Sequence, residues 1–112
     1  MEILFQTNQL RKVFNSNKLL VRHYGALRAR LIQRRLGELR AANILEDLRS
    51  LPQACCHELT GDRAGQISVD VGHPYRLLFG CANDPAPRKP DGGLDWKHVT
   101  TIRILEVEDT HG

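Results

Sequence analysis

Hydrophobic and polar positions follow two different periods in the two halves of this chain. In the first half the apolar residues recur three and four apart. Leu10, Val13 and Phe14 form one helical face behind Thr7 or Asn8, either of which can cap a helix N-terminus. Asn15-Ser16-Asn17 interrupts that face, and Ser16 can cap a new helix leading through Leu20, Val21 and Tyr24. Gly25 marks the corner of a helical hairpin. A longer helix then runs from about Ala26 to Ala42, with Ala29, Ile32, Leu36 and Leu39 in a narrow stripe. Leu27 and Leu31 point well away from that stripe, toward the first helix or an outside partner. Gly37 lies inside this helix at a cost of about 1 kcal/mol relative to alanine, so a close approach to another backbone is expected there. A short third helix over Ile44–Leu51 ends at Pro52.

From Cys55 onward the period becomes two. Gln66–Val71 alternates, with Ile67, Val69 and Val71 on one face and Gln66, Ser68 and Asp70 on the other. Strands are also expected at Cys56–Leu59, Tyr75–Ala82 and Val99–Val107, and at Glu2–Gln6 near the start. In the last of the later strands Ile102, Ile104 and Glu106 share one face, opposite Thr101, Arg103, Leu105 and Val107. Apolar residues on both sides mark it as a central strand. Between the last two strands, Asn83–Lys97 holds three of the chain's five prolines and a Gly-Gly pair, and reads as an excursion without regular structure. Trp96, the single tryptophan, fits there as an apolar peg pinning the loop's end. Helices first and strands after them predict an α+β fold: an N-terminal helical hairpin packed on one face of a mostly antiparallel sheet of four or five strands. With 112 residues, a single domain over 1–112 is expected, carrying its long loop at 83–97.

Charge changes the picture because it is uneven. Residues 1–50 carry ten Lys/Arg against four Asp/Glu, while residues 51–112 carry six against nine. Arg22, Arg28, Arg30, Arg34, Arg35 and Arg40 crowd the helical half, nearly to the exclusion of lysine. A planar guanidinium matches phosphate oxygens, so an arginine-rich helix face is a candidate phosphate-facing surface as well as a solvated one. No apolar run reaches the length needed to span a membrane, and the N-terminus lacks the pattern of a secretory signal. Three cysteines, two of them adjacent (Cys55 and Cys56), are not a disulfide framework, so a cytoplasmic setting is expected.

Several chemistries are absent from the sequence. There is no P-loop and no GxGxxG after a strand. Cys55-Cys56-His57 with Cys81 invites a zinc reading, but adjacent strand residues point to opposite faces, so neither a metal nor another cofactor is expected. What remains is basic and imidazole chemistry. Arg63 stands between Gly61 and Gly65, and Arg76 lies within an apolar strand, where its desolvation requires a partner. His57 precedes Arg63, and His111 follows Glu106, Glu108 and Asp109. Two arginines and two histidines are the parts for cutting RNA through its own 2′-hydroxyl, with a base, an acid and a cation to stabilise the phosphorane.

The segment LTGDRAGQISVDV…PYRLLF (Leu59–Phe79), followed by RILEVEDTH (Arg103–His111), resembles the HigB toxins of the RelE/ParE superfamily. These are the plasmid-maintenance killer proteins of bacterial type II toxin–antitoxin systems. The loop NDPAPRKPDGGLDW (Asn83–Trp96) is similar to that of a longer-looped branch, and LRAA…LEDLRSLP to the family's helix-to-strand connection. The resemblance implies the RelE/ParE-like fold and a ribosome-dependent mRNA endoribonuclease that needs no metal. It also implies a HigA-like helix-turn-helix antitoxin as partner, in a toxin–antitoxin hetero-oligomer, with the ribosome and mRNA as targets. Arg63 and Arg76 match the family's phosphate-binding arginines, Asp109 and His111 the ends of its terminal Asp-Tyr-His, and His57, more loosely, a further catalytic side chain. Arg28, Arg30, Arg34 and Arg35, with Tyr75, would contact RNA. The family's terminal aromatic is Thr110 here. A base-stacking ring is worth about 1–3 kcal/mol, so this departure implies weakened or lost activity, with the chain acting through antitoxin binding, unless Tyr75 or another side chain takes the role. A ParE-like gyrase poison on the same fold is the other alternative, and it would need neither His57 nor His111.

Overall fold

The computed structural model describes residues 1–109. The chain begins with an edge strand, β1 (Glu2–Phe5), and then three helices: α1 (Asn8–Phe14), α2 (Asn17–Tyr24) and α3 (Ala26–Ala41). Thr7 and Ser16 cap the first two, each accepting from a backbone amide three residues on, at 3.0 and 3.2 Å. Gly25 makes the corner between α2 and α3 at φ +82°, a conformation only glycine adopts without strain. Short 3₁₀ turns at Leu45–Ser50 and Pro52–Ala54 lead to the remaining strands, β2 (His57–Glu58), β3 (Gln66–Asp70), β4 (Tyr75–Cys81) and β5 (Thr101–Asp109).

The five strands form one sheet in the order β1-β5-β4-β3-β2. β1 runs parallel to β5, and every other pairing is antiparallel. A parallel pair needs a long crossover, and here nearly the whole chain supplies it. The helices cover one face. Ala29, Ile32, Leu36 and Leu39 of α3 are buried with Val13, Phe14 and Leu20 against Ile67, Val69, Leu77, Phe79, Ile102 and Ile104. Residues of period 3.6 thus meet residues of period two across a single interface.

Three expectations need correction. Gly37 is exposed, and a Cβ there would meet nothing within 4 Å, so no backbone approaches it. Leu27, expected to lie off the apolar stripe, is 68% exposed. The loop after β4 is organised: Asn83 Oδ1 accepts from the amides of Thr100 (2.9 Å) and Thr101 (3.1 Å), and a turn closes with Lys89 donating to Gly93 at 2.8 Å. Trp96 is buried at its end and donates to Glu58 at 2.8 Å. Finally, β5 does not alternate strictly. Leu78 pairs with Glu106 but Phe79 with Ile104, so Leu105 is an extra, bulged residue. Beyond the bulge, Val107 returns to the helix-covered side, and Glu106 and Glu108 turn to the sheet face away from the helices.

Candidate functional site

Register places a polar cluster on the sheet face turned away from the helices. Paired residues of an antiparallel ladder project to the same side. His57 faces Ser68, Ser68 faces Leu78, and Leu78 faces Glu106. Two residues along, Asp70, Arg76 and Glu108 form a second row on that side. Arg63 reaches the same place from the 3₁₀ turn Gly61–Arg63. The turn is framed by Gly61 at φ +67° and Gly65 at φ +90°, which explains the two glycines around it.

Both arginines are held by internal partners. Arg63 forms an ion pair with Glu108 and lies 3.8 Å from Glu106. Arg76 Nε donates to the hydroxyl of the fully buried Ser68 at 2.7 Å, and a terminal nitrogen donates to the carbonyls of Ser68 (3.3 Å) and Cys55. The partner that an arginine in a strand requires is therefore a hydroxyl with two carbonyls. The neighbouring carboxyls of Glu106 and Glu108 shift each other in opposite directions. Hydrogen bonding to Glu108 raises the Glu106 carboxyl above its ordinary range. The same bond from Glu106, aided by Arg63, lowers Glu108. The cluster can therefore clamp an anion through two guanidiniums and exchange a proton through a carboxyl pair or an imidazole.

Of the expected catalytic residues, His57, Arg63 and Arg76 are brought together on this face. Asp109 is not, because it pairs with Tyr75 in the ladder and register directs both to the helix-bearing side. His111 and Thr110 lie outside the described residues. Tyr75 meets an expected RNA contact instead, with the Arg28 guanidinium 3.9 Å from its ring centre. Arg30 and Arg34 are exposed on α3.

Arg35 departs from expectation. It is 2% exposed, donates to the carbonyls of Asp70 (2.8 Å) and Gln53 (2.9 Å), and pairs with Glu38 at 2.7 Å. It braces α3 against the end of β3 and cannot face phosphate.

Ser68, Glu106 and Glu108 were not singled out from the sequence. Ser68 interrupts an otherwise apolar buried run, and Glu-Val-Glu repeats a charge at strand spacing. Those were the available signals, but the second becomes readable only once the bulge is known. Burial pushes the Cys56 thiol up to about 12 against the pull of Arg49 and Arg76, which disfavours the thiolate that a nucleophile needs. Among the described residues no group of three metal-ligating side chains comes together, and no helix is long and apolar enough to cross a membrane.

No protein-family model matches the sequence, and neither does any curated protein. Among solved structures the chain is similar to a YoeB/ParE toxin from Agrobacterium tumefaciens, with a TM-score of 0.52 at 10% identity. The likeness covers 97% of this chain and 98% of that one. At that identity it is a likeness of fold, extending from β1 to the last strand, and it does not single out the HigB branch.

Proposed function

We propose that this chain is the toxin half of a toxin–antitoxin pair and that it cleaves mRNA on the ribosome without a metal. The observation that supports this reading best is that register and pairing put Arg63, Arg76 and His57 on the face away from the helices, in a sheet whose fold is similar to that of a YoeB/ParE toxin. In the reaction the RNA 2′-hydroxyl attacks the adjacent phosphorus, forming an O2′–P bond while the P–O5′ bond breaks. His57, or the Glu106–Glu108 pair, takes the hydroxyl proton. His111, assigned from the terminal motif, returns one to the departing 5′-oxygen. Arg63 and Arg76 hold the phosphate and stabilise the charge that accumulates on it. Arg30 and Arg34 on α3 would meet ribosomal RNA. The partner would be a HigA-like antitoxin with a helix-turn-helix domain, and the setting the bacterial cytoplasm.

Purified protein added to ribosomes carrying a defined message gives the test, with cleavage read by primer extension. Arg76→Ala should reduce cleavage by about 10²-fold or more, in line with removal of one preorganised donor. His57→Ala, at an exposed position, should reduce it without changing the melting temperature. Cleavage by both variants at the parent rate would overturn the reading. A second reading, the ParE-like gyrase poison, draws support from Arg63 being already neutralised by Glu106 and Glu108. It requires that His57→Ala remain fully toxic and induce DNA damage rather than a stop in translation.

A further inference from the structure

On the sheet face away from the helices, Gln66 faces Gly80, Gly80 faces Arg103, and Arg103 faces Leu4. This row lies two residues along β3 and β4 from Ser68 and Leu78, so about 7 Å away at the rise of a strand. It is the neighbour of the row that holds His57 and Glu106. Three observations meet in it. Gly80 sits inside β4, and a Cβ there would meet nothing within 4 Å. Glycine within a strand often marks a place where something approaches the backbone closely, and here the chain itself supplies nothing. The side-chain oxygen of Gln66 is shielded from water and has no donor, a state that costs free energy until a donor arrives. Arg103 is exposed, and among the described residues it has no carboxylate partner.

Together these features select the chemistry of an occupant. An apolar side chain would fill the gap over Gly80 and leave the Gln66 oxygen without a donor. A simple anion suits Arg103 but has no proton to give Gln66. A flat heterocycle joined to a phosphate meets all three. The ring lies on the Gly80 backbone, and its edge exchanges hydrogen bonds with the carboxamide, which carries an acceptor and a donor side by side. The phosphate then reaches Arg103. The strands flanking β4 stand about 10 Å apart, which leaves room for a base between Gln66 and Arg103. Single-stranded RNA is commonly held in this way, through the faces and edges of its bases as well as its phosphates.

We propose that Gly80 is the floor of a nucleobase subsite. The base of the nucleotide next to the cut linkage lies on it, Gln66 hydrogen-bonds the edge of that base, and Arg103 holds the phosphate beyond. Gln66 is then a residue that sets sequence preference. The inference rests on the proposed RNA cleavage for the identity of the strand. None of the three residues moves a proton or stabilises the phosphorane, so base binding is measurable without turnover.

The probe is a single-stranded RNA trinucleotide with 2′-O-methyl groups, which leave no free hydroxyl to attack, compared with the same molecule lacking its central base. Titration into the full chain is followed by NMR, and the side-chain NH2 signals of Gln66 should shift saturably. The intact trinucleotide should bind about ten-fold more tightly than the abasic one. Gly80→Val puts a β-branched residue into a strand with room for it, so it should keep or raise Tm and yet bind the two trinucleotides alike. Gln66→Ala should weaken the intact trinucleotide by about three-fold or more and leave the abasic one unchanged. Arg103→Ala should weaken both by the same factor and reduce the salt slope by about 0.7. The inference fails if the parent binds both trinucleotides equally, if the Gln66 signals stay in place, or if Gly80→Val discriminates as the parent does. Cleavage on ribosomes keeps the two proposals apart. A parent that binds the base and cuts no message overturns the cleavage reading alone, whereas one that cuts equally well beside a missing base overturns the subsite alone. The titration of the parent decides the matter even if a variant folds poorly.

Discussion

Replacing Arg35 by alanine separates two views of one residue. Placed on an arginine-rich helix, it reads as a phosphate contact whose loss would weaken RNA binding and leave stability alone. The structure makes it a brace. Its guanidinium donates to two backbone carbonyls, of Asp70 and Gln53, and to the carboxylate of Glu38. Each bond with a charged donor is worth about 1.5–3 kcal/mol in mutational series. The three are not additive, since they order the same side chain and Glu38 can turn to water once released. The expected loss is the roughly 3–5 kcal/mol found when one partner of a buried pair is removed. Small domains total only about 5–15 kcal/mol, so the variant should be close to the limit of folding. In urea, with a slope of about 1–3 kcal/mol/M, the midpoint should drop by about 1 M or more. Arg34→Ala, next door but exposed, should stay within about 0.5 kcal/mol of the parent. Arg35→Lys keeps the charge but not the fork that spans three acceptors, and should fall between the two. A midpoint for Arg35→Ala indistinguishable from that of Arg34→Ala would refute the bracing role.

Two other outcomes follow from the same physical picture. The raised carboxyl of Glu106 contributes stability below the ordinary carboxylate range and loses it as pH rises through its elevated value. The lowered carboxyl of Glu108 contributes above that range and loses it as pH falls through its depressed value. Glu106→Gln should therefore raise Tm at pH 7 and leave it unchanged in acid, whereas Glu108→Gln should lower Tm at pH 7 by a margin that shrinks on acidification. Gly37→Ala should stabilise the chain by up to about 1 kcal/mol in urea denaturation, because a Cβ at that helical position meets nothing within 4 Å.

The helices were legible because each carries its own punctuation: a hydroxyl cap at Thr7 and Ser16, a glycine corner at Gly25, and an apolar stripe of matching period. These are local signals, and they survive folding unchanged. The alternation Ile67, Val69, Val71 was legible for the same reason, and all three are fully buried. Arg35 was not. Nothing within a few residues distinguishes it from Arg34, and its partners at Asp70 and Gln53 are remote in the chain, so its burial is a property of the assembled fold. The same applies to Glu106 and Glu108. Strict alternation from Ile102 places Glu106 with the core, and only the pairing shift against β4 reverses it.

That shift has a consequence for the proposed chemistry. By turning two glutamates onto the face that holds Arg63 and Arg76, the bulge leaves Arg63 resting in an ion pair, and an RNA phosphate must displace a carboxylate to bind. The Arg63 side chain is 37% exposed, Glu108 31% and Glu106 54%, and pairs this open to water are worth about 0–1 kcal/mol. A guanidinium gripping a phosphate through two parallel bonds gains more, since hydrogen bonds to charged groups contribute about 1.5–3 kcal/mol each. In the proposed reaction the exchange would therefore run in favour of phosphate, and it would release Glu108 from Arg63 when a substrate binds. With Arg63 drawn away, Glu108 would bind a proton more readily, since Arg63 is one of the groups that lowers it, and the carboxyl pair would become better able to accept the 2′-hydroxyl proton of the proposed reaction. On the proposed reading, the resting salt bridge is the form that phosphate binding would convert.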